Sequence, residues 1–66
     1  MINYTIVEEG LTKDWFYFRL KPDGDIYRVR AKDRKQLDTQ GIPMGARWEG
    51  TAGWWEDAKE RIINGG

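Results

Sequence analysis

The sequence predicts an α+β fold: a three-stranded antiparallel sheet (β-β-β) with a C-terminal amphipathic helix packed on one face and a short helical turn after the third strand. Three observations carry that expectation. Residues 2–9 (INYTIVEE) alternate between two sides as a strand does, a Pro22-Asp23-Gly24 turn signal divides two strand-like runs, and residues 52–64 place apolar side chains at helical spacing. Sixty-six residues make one small domain, 1–66, with one core.

The first strand is expected over 2–9, with Ile2, Tyr4 and Ile6 on one side and Asn3, Thr5 and Val7 on the other. Gly10 to Asp14 reads as a turn. Residues 15–21 (WFYFRLK) are aromatic-rich and form the second strand. Proline presets the first turn angle and Gly24 supplies a positive φ, so residues 26–32 (IYRVRAK) return as the third strand.

The register of this hairpin decides which face is apolar. A three-residue loop would set Lys21 opposite Asp25 and place Arg28 and Arg30 among Phe16, Phe18 and Leu20. A four-residue loop sets Lys21 opposite Ile26. Phe16, Phe18, Leu20, Tyr27, Val29 and Ala31 then share one face, and Tyr17, Arg19, Lys21, Arg28 and Arg30 the other. Burying unpaired arginine costs several kcal/mol, more than turn preference supplies, so the second register is expected. The helix should then cover the apolar face and leave the guanidinium groups in water.

Beyond the third strand, Asp33 with Gln36 resembles a capping box for a short helical turn that Gly41 ends. Residues 41–51 (GIPMGARWEGT) read as a long loop, partly tucked onto the core by Ile42, Met44 and Trp48. The last helix runs from about Ala52 to Asn64. Its stripe is Trp54, Trp55, Ala58 and Ile62, Thr51 or Gly53 starts it, and Asp57 and Arg61 are spaced to pair on its wet face.

Composition narrows the chemistry. The chain has no cysteine, no histidine and no serine, which removes the thiolate and hydroxyl nucleophiles of that kind, Cys-type zinc sites and the commonest general base. Glu8 and Glu9 are adjacent and so face opposite ways on a strand. Asp23-Gly24-Asp25 lacks the later ligands of a calcium loop, and the C-terminal Gly65-Gly66 is explained as a helix stop. The expectation is a non-enzymatic binding module with no cofactor and no metal. No apolar run is long enough to span a membrane, and Met1-Ile2-Asn3 leads into strand-like sequence without a signal pattern, so a cytoplasmic protein is expected.

Two contact surfaces are proposed from the residues. The first is the glycine-rich loop with Met44, Arg47, Trp48 and Glu49, which suits docking on a larger protein because tryptophan and arginine dominate binding hot spots. An adaptor or modulator is therefore the leading expectation. The alternative is nucleic-acid binding by the basic and aromatic sheet face: Trp15, Tyr17, Arg19, Lys21, Arg28 and Arg30. Residues 12–35 carry eight basic and four acidic side chains, although the whole chain is neutral, with 11 of each sign. A third class is a homodimer formed through an unpaired edge of the first or third strand.

Overall fold

The computed structural model describes residues 5–21 and 24–65. The order is β1 (Thr5–Leu11), β2 (Trp15–Lys21), β3 (Asp25–Arg30), a 3-10 turn (Ala31–Asp33), α1 (Arg34–Thr39), β4 (Arg47–Gly50) and α2 (Ala52–Gly65). The sheet is antiparallel, with four strands in the order β1-β2-β3-β4. The expectation of three strands is thereby corrected. Four residues of the long loop that was expected over 41–51 form a strand, because Arg47, Trp48 and Gly50 pair with Arg28, Tyr27 and Ile26. A four-residue strand with a glycine at its end carries too little alternation to stand out in the sequence.

The β2–β3 hairpin has the expected four-residue loop, moved one residue earlier on each strand. Leu20 faces Asp25, and Gly24 N–H donates to Leu20 O at 2.6 Å. Gly24 holds φ at 84°, the left-handed conformation that glycine adopts without cost from a Cβ. The Lys21–Ile26 pairing is therefore incorrect, but the division between faces is retained. Phe16, Phe18, Leu20, Tyr27 and Val29 share the first face; Trp15, Tyr17, Arg19, Ile26, Arg28 and Arg30 share the second. Residues 2–4 of the expected first strand, and Pro22 and Asp23, lie outside the described residues. Gly10 and Leu11, expected to open a turn, are part of β1.

Both faces of the sheet are covered. On the first face, Phe16, Phe18 and Val29 pack with Leu37 of α1, flanked by Ile6, Leu20, Tyr27, Ile42 and Ala46. On the second, Tyr17 and Ile26 pack with Trp55 of α2, flanked by Trp15, Ile62 and Ile63. The terminal helix thus lies on the arginine-bearing face, opposite to expectation. Ile26 explains part of this: it sits on that face and is fully buried. The counter-charges described below explain the rest.

Trp55 is the center of the second core. It is fully buried, stacks on Tyr17 with ring centroids 5.0 Å apart, and donates from Nε1 to Glu9 Oε1 at 2.9 Å. Burying such a ring is worth roughly 4–6 kcal/mol at 25 cal/mol per Å². Trp55, Ala58 and Ile62 form the expected stripe with Ile63, whereas Trp54 lies at its exposed border. Thr51 caps the helix, its Oγ1 accepting from Trp54 N–H at 3.2 Å. Asp33 occupies the corresponding position before α1 but makes no side-chain capping bond.

Two glycines let α2 approach the sheet edges. A Cβ on Gly10 would stand 2.6 Å from Ile63 Cδ1, and one on Gly50 would stand 2.6 Å and 2.9 Å from two ring carbons of Trp54. Ile63 Cδ1 is the free end of a flexible side chain; the Trp54 ring must move as a unit. Gly50→Ala is therefore expected to destabilise by about 1–3 kcal/mol in urea unfolding, and Gly10→Ala by less. Trp55→Ala is expected to cost about 3–5 kcal/mol and leave circular dichroism without a cooperative transition at ambient temperature.

Candidate functional site

The surface around β4 is built by a turn and an edge strand. Ala46 N–H donates to Pro43 O at 3.0 Å, which closes a turn with Met44 and Gly45 at its tip. Gly41, with φ at 84°, redirects the chain out of α1 toward that turn. Met44 is fully exposed. Ile42 and Ala46 on either side of the tip are half-buried against the first core. Of the three residues expected to tuck this segment inward, only Ile42 does so.

Trp48 sits directly opposite Tyr27 on the first face, and Tyr27 sits opposite Phe18. The Phe18 and Tyr27 rings stack with centroids 5.8 Å apart. This row runs from a fully buried ring through a half-buried one to Trp48, which is 56% exposed. The indole thus stands at the open end of that row, on the last strand of the sheet.

On the second face, Arg47 lies opposite Arg28. Glu49 is the extra residue of a β-bulge between the Trp48 and Gly50 pairings, and its carboxylate stands 3.2 Å from Arg28 Nε. Arg28 also lies over the Trp15 ring, 3.9 Å from its centroid. Glu49 is therefore committed within the chain, while Arg47 makes no ion pair among the described residues. Met44, Arg47 and Trp48 stay on the surface; Glu49 is a buttress beside them.

The open basic sheet face expected for nucleic acid is not open. Tyr17 is buried under Trp55, and Arg19 is held between Glu9 at 3.1 Å and Glu56 of α2 at 3.3 Å. Glu9, like Glu49, is an extra residue in a bulge, between the Glu8–Phe18 and Gly10–Tyr17 pairings. The Nε groups of Arg19 and Arg28 are buried, and their N–H vectors miss a hydrogen-bonding line to those carboxylates, so the contacts are ion pairs. Lys21 is exposed at the far end of β2, and Arg30 is exposed with its guanidinium 4.5 Å from the Trp15 ring centroid. Glu8 faces the other way, as expected, and pairs with Arg34 of α1 at 2.7 Å.

That ion pair borders a concavity of about 210 Å³ between β1 and α1, lined by Ile6, Glu8, Phe16, Arg34, Leu37 and Asp38. No group of three or more carboxylates that could hold a metal occurs among the described residues. No helix of the described residues is long and apolar enough to cross a membrane. The expected Asp57–Arg61 pair is not among the ion pairs of the described residues; Glu56 instead pairs with Lys59 at 3.1 Å and with Arg19. The edges of the sheet are β1 and β4, so β3, one of the two strands expected to offer a free edge, is interior.

No protein-family model matches the chain, and neither a curated protein nor a solved structure matches it.

The hydrogen bond and charge of Lys59, and then Arg19, hold the Glu56 carboxyl below its ordinary value. A depressed carboxyl binds its proton less readily folded than unfolded. Its contribution is present above the ordinary carboxylate range and is lost as pH falls through the depressed value. Urea midpoints measured downward from pH ~5 should therefore decline, and Glu56→Gln should flatten part of that decline.

Proposed function

We propose that this chain is a non-enzymatic binding module, an adaptor or modulator that docks on a larger protein through Met44, Arg47 and Trp48. The observation that carries this reading is the exposure of Trp48 at the open edge of the sheet, four positions after the fully exposed Met44. A ring so placed gains more from a partner's pocket than from water, and tryptophan is the side chain most enriched at binding hot spots.

The chemistry of the surface describes the partner. An apolar pocket receives Trp48 on the first face, and an acidic group that reaches round the β4 edge to the second face meets Arg47, the cation that Glu49 leaves uncompensated while neutralising Arg28. The bulge at Glu49 interrupts the strand pattern of β4, which disfavours extension of the sheet by a second copy. Side-chain docking, rather than strand addition, is thus the mode that this edge supports.

The test pairs capture with a purified measurement. A protein retained by the wild-type chain should bind at least ~30-fold more weakly to Trp48→Ala, equivalent to a hot spot of about 2 kcal/mol. Arg47→Glu should weaken it as well, and the thermal midpoints of both variants should stay close to that of the parent. If Trp48→Ala binds equally well, or if light scattering shows the parent to be a concentration-dependent dimer that Trp48→Ala dissolves, docking on a larger partner is wrong.

A further inference from the structure

Residues 28–35 (RVRAKDRK) hold five basic side chains and one acid. The fold neutralises two of them: Glu49 meets Arg28 and Glu8 meets Arg34. Arg30 and Lys32 make no ion pair among the described residues, and neither does Lys13, which arrives from the β1–β2 turn. These three cations line one shallow cleft of about 380 Å³ with Asp14 and Ala31.

The walls of the cleft are fixed by the backbone. Thr12 N–H donates to Trp15 O at 2.8 Å, and Trp15 N–H donates to Thr12 Oγ1 at 3.1 Å, which closes the turn that carries Lys13 and Asp14. Ala31 N–H donates to Asp14 O at 2.8 Å and ties that turn to the end of β3. Arg30 is steadied over the Trp15 ring. Three like charges are thus gathered on a braced frame with a single acid among them, an arrangement that repels itself until an anion arrives.

We propose that this cleft binds the phosphodiester backbone of a nucleic-acid strand without reading its bases. The cations are exposed and the cleft is open, so a small free anion gains little there. A polymer, by contrast, releases condensed counterions as each phosphate is neutralised. Trp15, the aromatic ring at the margin, is already engaged by Arg28 and Arg30, which directs contact to the backbone. Lysine and arginine as exposed point contacts suit phosphate in that role. This site is separate from the Met44–Trp48 surface and uses Lys13 and Lys32, which lie outside the sheet face.

The experiment is a fluorescence-anisotropy titration of the full chain against a short labelled single-stranded DNA, over a range of salt concentrations. Binding is expected at low salt, with a log–log salt slope of about −2 for three phosphate contacts. Lys13→Glu/Lys32→Glu is expected to weaken binding at least ~10-fold, Lys13→Ala/Lys32→Ala to reduce the slope toward about −0.7, and Trp48→Ala to leave both unchanged. Circular dichroism of each variant verifies the fold. The absence of binding at low salt, equal binding by the alanine and glutamate double variants and the parent, or equally tight binding of inorganic pyrophosphate would each overturn the proposal.

Discussion

A helix can lie across the arginine-bearing face of this sheet because the sheet's own edges deliver the counter-charges. Glu9 in β1 reaches Arg19, and Glu49 in β4 reaches Arg28. Without them, packing α2 there would strip water from two unpaired guanidinium groups, a cost of several kcal/mol that a domain of this size cannot absorb. With them, Trp55 can seat itself on Tyr17 and Ile26 and take Glu9 as the acceptor for its indole N–H. The second core, the placement of α2 and the closure of the basic face all follow from that pairing.

The two edges solve the problem in the same way. Each carries a Glu-Gly pair, Glu9-Gly10 and Glu49-Gly50, with the glutamate as the extra residue of a bulge. The bulge turns the carboxylate toward the helix-covered face, and the glycine that follows removes the Cβ that α2 would strike. Gly10 makes room for Ile63 near the end of α2, and Gly50 makes room for Trp54 near its start. The helix is thus admitted at both ends by a repeated local device, although the flanking sequences differ. The same bulges interrupt both edge ladders, which discourages pairing with other chains.

Much of the fold was legible in the sequence, and the parts that were not share a physical cause. Composition and periodicity located β2, β3, the turn at Gly24 and the stripe of α2, because each depends on neighbours in sequence. The partition of the central strands into two faces was also legible, since it rests on parity alone. The fourth strand and the side chosen by α2 were not. Both depend on Glu9 and Glu49 meeting arginines ten and twenty-one positions away in sequence, which no local pattern reports. A face bearing arginines reads as wet unless their partners are known, and a Glu-Gly dipeptide reads as a turn unless its strand is known. Trp48 was equally ambiguous as core or contact until its place opposite Tyr27 was visible. Lys13 and Lys32 were legible only as members of a basic stretch, since the bond from Ala31 to Asp14 that brings their segments together is tertiary.

A single residue, Thr51, joins β4 to α2, and it is also the cap of that helix. There is no slack between the strand that presents Trp48 and the first turn that presents Trp54 and Trp55. Any tilt of β4 must be taken up at this junction, where the Trp54 and Trp55 rings lie 6.1 Å apart. A shift of β4 at the sheet's rim is therefore passed through one residue to an indole pair on the other face.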